Sequence, residues 1–401
     1  MTAQQHDPGF PGWPAWDEGD RSALSAALSS GRWWCGAPAD HVGENLWELQ
    51  KEFAFFQEAE HCIAVSNGTV AIEAALLALG IGLGEEVIVP DYTFVATAAA
   101  VVAANAVPLF CDIDPRTLVM DVDKVEELIS PRTRAVIAVH LAGNPVDMDR
   151  LLEVAGAHGL DVIEDCAHAH GSRFRGRRVG NRGAAGTFSF QASKVLTAGE
   201  GGAVVCNDRG LAERIYRIAD CGRTPGRYFY EHEEYGSNYR MPELSAALLR
   251  SQLKKLPGQH ALRNENACYL SKALNAIEGI TVMEPTPGTE ELGYYLFPFL
   301  FDPSCFGGMD KATFEGKLRG RGIPTDDCYP PLHRLGCFRN VSLRKGIDYS
   351  AANWGGEKSA DSNFPVTCHV YERSIQLPHY VLLAGRDRMD FIADAVRALR
   401  P

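Results

Sequence analysis

From Cys62 onward, short apolar runs alternate with segments of helical length, and this rhythm limits the fold more than any other feature of the chain. Cys62–Val65, Glu86–Pro90, Val107–Ile113, Ala135–His140 and Asp161–Asp165 read as strands. Each is too short for a buried helix, and several are rich in β-branched residues. Strands separated by helices imply βαβ units, hence a mostly parallel sheet covered on both faces. Phe188–Gln191 and Ala203–Cys206 read as two further strands joined by the Gly-rich turn Ala198–Gly202, with helices following at Leu211–Asp220 and Pro242–Leu256. After Pro257-Gly258 the pattern changes to a helix near Leu262–Ile277, strands near Ile280–Met283 and Tyr294–Phe301, and helices near Lys311–Arg321 and Met389–Leu399. The expectation is a large α/β domain over residues 1–257 and a smaller α+β domain over 258–401, the boundary being soft because one long helix can straddle it.

Size and charge narrow the function. A chain of 401 residues, 46% hydrophobic, can bury more than one core. Its 39 Lys and Arg stand against 51 Asp and Glu, and no polybasic run is present to neutralise a phosphate backbone or an anionic membrane. No nucleic-acid or membrane partner is expected. Val95–Ala104 is too short to cross a bilayer, and the polar, Pro-rich start to Trp16 lacks the order of a signal peptide, so a cytoplasmic protein is expected. The eleven cysteines, from Cys35 to Cys368, show no metal or disulfide spacing and read as reduced, mostly buried thiols.

In an open parallel sheet, ligands bind beyond the carboxyl ends of the strands. Three such ends carry reactive groups. Ser66-Asn67-Gly68-Thr69 closes a strand and opens a helix, where the N–H groups of Gly68 and Thr69 suit a phosphate, or where Asn67 is merely an N-cap. The run from Glu164 to Gly171 ends an apolar strand in two acids and the histidines His168 and His170. Asp165 there can hold a pyridinium nitrogen protonated, with His168 against the ring; a capping acid with core histidines and a metal site are the alternatives. Lys194 lies between the apolar segment from Thr187 and the glycine-rich turn. Burial would favour its neutral amine, which can condense with an aldehyde, whereas in a solvated loop it would be an ordinary surface lysine. A phosphate grip at Gly68, Thr69 and Ser189, a ring-nitrogen partner at Asp165 and an imine-forming Lys194 together match the three handles of pyridoxal 5'-phosphate. No metal is expected.

The order and spacing of Ser66–Thr69, Val87–Pro90 with Tyr92-Thr93-Phe94, Glu164–Ala169, Ser189–Lys194 with Gly199–Gly202, and Gly236–Met241 resemble the DegT/DnrJ/EryC1/StrS aminotransferase family, which acts on keto-sugars and keto-cyclitols. The resemblance implies the aspartate aminotransferase-like fold, known as fold type I, and a transamination cycle in which Lys194 bonds the cofactor and then shuttles a proton. It also implies that Asp165 pairs with the ring nitrogen, Phe94 stacks on the ring, and Gly68, Thr69 and Ser189 hold the phosphate. Asn238 is expected to reach the phosphate of a neighbouring subunit, so that a homodimer shares its active sites.

Phe10-Pro11-x-Trp13-Pro14, Gly31-Arg32-Trp33-Trp34, Phe188–Gln191 and Leu377-Pro378-His379 look most like the glutamine-dependent scyllo-inosose and deoxy-scyllo-inosose aminotransferases and the 3-amino-5-hydroxybenzoate synthases of antibiotic pathways. The partners implied are an amino donor, L-glutamine or L-glutamate, and a cyclic ketone. Aromatising dehydration of an already aminated ring is the rival reaction. A sugar-nucleotide acceptor, met by Arg223, Arg227, Tyr228, Tyr230, His333 and Arg334, stays open, as does a wall of Trp33 and Trp34 at the entrance. A non-catalytic regulator would need a DNA-binding segment, and none is visible.

Overall fold

The computed structural model describes residues 9–34, 44–339, 346–349, 352–354 and 360–401. Residues 1–8 of the polar start, and Cys35, lie outside them. The strands in chain order are β1 (His61–Val65), β2 (Glu86–Pro90), β3 (Val107–Cys111), β4 (Thr133–Val139), β5 (Asp161–Asp165), β6 (Arg173–Phe174), β7 (Arg177–Arg178), β8 (Ala185–Ser189), β9 (Gly202–Cys206), β10 (Ile280–Val282), β11 (Thr289–Glu291), β12 (Leu296–Phe301) and β13 (Ser374–Pro378). The main helices of the first part are α1 (Glu18–Ser29), α2 (Glu44–Phe56), α3 (Gly68–Ala78), α4 (Ala96–Ala103), α5 (Met148–His158), α6 (Arg209–Ala219) and α7 (Glu243–Asn275).

A seven-stranded sheet in the order β1-β9-β8-β5-β4-β2-β3 forms the centre. Its neighbours run parallel from β3 through β2, β4 and β5 to β8, while β9 is antiparallel to both β8 and β1. Every residue of β2, β3, β8 and β9 is buried, because helices cover both faces and no strand residue can look out on water. Side-chain caps place the starts of the covering helices: Asn67 accepts from Val70 N–H, Asp147 from Arg150 N–H and Asp208 from Leu211 N–H.

The C-terminal part builds an antiparallel sheet, β10-β12-β13, and β11 joins β6 and β7 in a small third sheet. The two parts share one continuous hydrophobic core. They also meet through polar contacts next to β2. Leu332 N–H donates to Asp91 O at 2.9 Å, and His333 donates its own N–H to Asp91 Oδ1 and its Nδ1–H to Asp91 Oδ2. Burial works against a charged His333 ring, but the carboxylates of Asp91 and Asp361 outweigh it and raise its pKa.

The structure departs from the sequence expectations at identifiable places. The helices expected at Pro242–Leu256 and Leu262–Ile277 are one helix, α7, which runs through Pro257. Strand β8 starts at Ala185 rather than Phe188; a Cβ on Gly186 would lie 2.2 Å from Gly180 O, so this stretch uses the small residues that elsewhere signal a turn. β13 and helices α1 and α2 were not expected. The ten described cysteines are all free, and half of them are buried: Cys111, Cys166, Cys206, Cys328 and Cys368.

Candidate active site

The carboxyl ends of β5, β8 and β1, with the loop after β2, open onto a cavity of about 710 Å³. Gly68, Thr69, Phe94, Asp165, His168, Ser189 and Lys194, chosen from the sequence, all line it. Asn238 does not. It is exposed and pairs in a bridge with Asp220, on the surface of the chain.

At the amino end of α3 the N–H groups of Gly68 and Thr69 have no intrahelical partner, and the helix dipole adds partial positive charge. A Cβ at Gly68 would stand 2.8 Å from Ser189 Cβ, so only glycine lets this helix end approach the end of β8. The result is a cradle of backbone donors with the Ser189 hydroxyl on its rim.

Asp165 ends β5 at 5% exposure. Its Oδ2 accepts from Thr97 Oγ1 at 2.9 Å and its Oδ1 from Ala167 N–H at 3.1 Å. Burial raises its pKa, against these hydrogen bonds and the charge of Lys194. A cationic group facing it would compensate that burial. Its neighbour Glu164 points to the other face, as strand alternation requires, and accepts from His140 Nε2 and from the N–H groups of Gly180, Arg182 and Gly183. It is a structural acid.

The two histidines divide in the same way. His170 is enclosed by Phe53, Phe188 and Phe190. His168 faces the cavity: Ala142 N–H donates to its Nδ1 at 3.3 Å, so its proton sits on Nε2, which donates to Tyr329 Oη at 3.2 Å. Burial keeps His168 neutral, its pKa well below the ordinary imidazole value.

Lys194 is 8% exposed, and its Nζ lies 3.9 Å from the centroid of the Tyr295 ring. Burial lowers its pKa to about 7, with Asp165 opposing the shift, which favours the free amine far more than in an exposed lysine. The loop that presents it is tied down from within: Lys194 N–H donates to Gln191 O, and Ala198 N–H and Thr197 Oγ1 to Phe190 O. Ser193 Oγ donates to Gln191 Oε1 at 2.6 Å and therefore accepts from Tyr295 Oη at 2.9 Å.

Phe94, 52% exposed, forms a wall with Tyr329, ring centroids 5.7 Å apart. Sequence reading missed Thr97, Tyr295 and Tyr329. Thr97 stands one helical turn after Thr93, whose hydroxyl is 3.1 Å away, and that spacing was available as a signal. The two tyrosines are brought in from the C-terminal part by packing, and no local pattern marks them. Among the basic and aromatic residues considered for a sugar nucleotide, none lines the cavity: Arg223 pairs with Asp220, Arg227 with Glu231 and Glu233, Arg334 with Asp361, and Tyr228 and Tyr230 are exposed. Trp33 and Trp34 are also outside it, Trp34 packing edge-on to Phe229.

The sequence pattern of the DegT/DnrJ/EryC1/StrS aminotransferase family matches residues 16–397. This chain belongs to that family. An L-glutamine:2-deoxy-scyllo-inosose aminotransferase of Streptoalloteichus tenebrarius is 38% identical over 96% of the chain and 93% of that protein. A 3-amino-5-hydroxybenzoate synthase of Amycolatopsis mediterranei is 35% identical over 97% of the chain and 98% of the relative. A crystal structure of 3-amino-5-hydroxybenzoic acid synthase superposes with a TM-score of 0.88 at 33% identity, covering 98% of both chains. The fold is that of the fold type I pyridoxal-phosphate-dependent aminotransferases, and the chain is an enzyme of that class. The family implies pyridoxal phosphate, and the residues present suit it: a helix amino end brought against Ser189 by a glycine that a Cβ would push away, a buried carboxylate facing the cavity, and a buried amine.

Proposed function

We propose that this aminotransferase moves an amino group from L-glutamine or L-glutamate to a keto-cyclitol or keto-sugar in the biosynthesis of an antibiotic or related secondary metabolite. The observation that carries the reading is the buried amine of Lys194 in a cavity whose other polar groups are mainly hydroxyls and amides: Asn67, Thr69, Thr93, Gln191, Ser193, Tyr295 and Tyr329. Such a lining suits a neutral, polyhydroxylated ring better than a charged nucleotide. The glutamine-dependent relative supports the donor.

Pyridoxal phosphate, when bound, supplies an aldehyde that condenses with the donor's amino group and a ring that takes up the electron pair released at the donor α-carbon. Gly68, Thr69 and Ser189 bind its phosphate end, and Asn238 from a second copy of the chain completes that grip. Asp165 holds the proton on the ring nitrogen, while Thr97 and Ala167 keep the carboxylate aimed. Phe94 covers the ring, and neutral His168 orients Tyr329 from the cavity wall. Lys194 moves the proton between the donor α-carbon and C4′, a task that needs its amine unprotonated, as burial provides.

The protein is accordingly a homodimer with shared active sites, working in the cytoplasm, and among the described residues no helix is long and apolar enough to cross a membrane. We keep the division into residues 1–257 and 258–401 as part of this proposal, since the seven-stranded sheet takes its strands from 61–206 and the antiparallel sheet from 280–378. A second reading, aromatising dehydration of an aminated ring, is favoured by the likeness to the hydroxybenzoate synthases.

The test is an absorbance spectrum of the full-length protein with pyridoxal phosphate, before and after L-glutamine is added without any ketone. A long-wavelength band that shifts to shorter wavelength with the donor, and is absent in Lys194→Ala, is the expected result. A band that no amino acid converts would favour the aromatising reaction, and no band at all would overturn the assignment of Lys194. Keto-cyclitols and keto-sugars are then compared as acceptors.

A further inference from the structure

Two motifs at opposite ends of the chain, Phe10-Pro11-x-Trp13-Pro14 and Leu377-Pro378-His379, have no part in the chemistry above. In the fold they meet beneath Lys194. Trp13 and His379 pack edge to face with ring centroids 4.4 Å apart. Each donates a hydrogen bond to one of the two carbonyls preceding the lysine: Trp13 Nε1–H to Ala192 O at 3.1 Å, and His379 Nε2–H to Ser193 O at 3.1 Å.

A third residue fixes the direction of the second bond. Arg263 Nη2 donates to His379 Nδ1 at 3.2 Å. A guanidinium has donors only, so Nδ1 must offer its lone pair and the ring proton must sit on Nε2, facing Ser193. Arg263 also lies 5.6 Å from the Trp13 ring and thus touches both partners. It is wholly buried in the middle of α7, flanked along the same face by Leu256, His260, Ala267 and Leu270, where an aliphatic side chain would be the ordinary choice. Its hydrogen-bond acceptors are His379 Nδ1 and, at 3.5 Å, Gln259 Oε1; among the described residues no carboxylate pairs with it, and burial lowers its pKa to about 9.

We propose that Trp13, Arg263 and His379 are positioning residues for Lys194. They lock the peptide planes at residues 192 and 193, so the lysine enters the cavity in one direction and stays out of water. Ser193 is then held at both ends, its carbonyl by His379 and its hydroxyl between Gln191 and Tyr295. This inference rests on the reading of Lys194 as the cofactor-bonding amine.

The experiment follows the rate at which the cofactor-free, full-length chain develops its Lys194-dependent band on mixing with pyridoxal phosphate, as a function of pH. Wild type should show an inflection near 7, where the amine loses its proton. In His379→Leu the inflection should rise by about one pH unit or more, which by the smaller neutral fraction alone slows capture about fivefold at neutral pH. His379→Gln, which keeps an N–H toward Ser193, should recover most of the wild-type behaviour. Trp13→Phe, which removes the N–H toward Ala192 while keeping an aromatic ring, should move the inflection the same way. A purely structural role would lower the melting temperature of these variants and leave the inflection in place; an unmoved inflection in folded His379→Leu and Trp13→Phe overturns the proposal. If wild type itself gives no Lys194-dependent band, the assignment of Lys194 fails and this inference falls with it, an outcome distinct from an unmoved inflection.

Discussion

At the scale of single residues, the site is held together by groups that stability alone would not select. Lys194 titrates near 7 in the folded chain against 10.5 for an ordinary lysine, because burial penalises the ammonium. Between these values the unfolded chain binds more protons than the folded one, so stability rises with pH across that window. Replacing the lysine by an apolar side chain removes the penalty. Lys194→Met is therefore expected to stabilise the cofactor-free protein by at most roughly 4 kcal/mol near neutral pH, the gain shrinking to nothing as the pH nears the ordinary lysine value. Thermal unfolding of both proteins at the two ends of the window checks this, and equal melting temperatures near neutral pH would show that water reaches the amine. The acids at the end of β5 illustrate the complementary point. Glu164 and Asp165 are adjacent in sequence and equally acidic, yet one is satisfied by four donors inside the fold and the other faces the cavity. Strand alternation made it certain that they part; which of them met the ligand side depended on the sheet's placement.

At the scale of elements, α7 shows packing overriding local propensity. Its buried face runs Ala246, Leu249, Leu253, Leu256, His260, Arg263, Ala267, Leu270, Leu274, a three-and-four spacing that passes Pro257-Gly258 without a break. Breakers end a helix when little else supports it, but here α1, α2 and the C-terminal helix Arg386–Arg397 pack along its length. Pro257 and Gly258 are both exposed, and a Cβ at Gly258 meets nothing within 4 Å. Gly258→Ala should therefore stabilise the protein by about 0.5–1 kcal/mol, from helix propensity and a less flexible unfolded chain. A chemical-denaturation midpoint that stays put or falls would mean that the glycine serves a local bend. Two signals conflict in this sequence: the periodic stripe predicts one continuous helix and the Pro-Gly pair predicts a break, and packing decides for the stripe. The short strands β2 and β5 were readable to the residue, since burial on both faces leaves an apolar run, Val87–Val89 or Val162-Ile163, between acidic or turn-forming ends.

At the scale of the whole molecule, the cavity needs partners from far along the chain. Tyr295 and Tyr329 reach it from the C-terminal part, while the exposed Asn238 lies away from it in the same chain, as a residue serving a second copy would. If sites are shared, Lys194→Ala and Asn238→Ala should each be inactive when expressed alone, and together should regain about a quarter of wild-type activity, because half of the random pairs contain one intact site. Recovery no greater than the sum of the separate variants would place Asn238 outside the neighbour's site. By itself the sequence determined the parallel sheet, the strand ends that bear Gly68, Asp165, Ser189 and Lys194, and the chemistry those groups share, because strand length, alternation and helix caps are local consequences of side-chain type. Only the tertiary structure decided that Glu164 and His170 turn inward, that Tyr295 and Tyr329 line the cavity of Lys194, and that Trp13, Arg263 and His379 converge beneath it. The contacts of Trp13, Arg263 and His379 join positions more than a hundred residues apart, and their geometry is set by how the layers pack, which no local pattern of residues records.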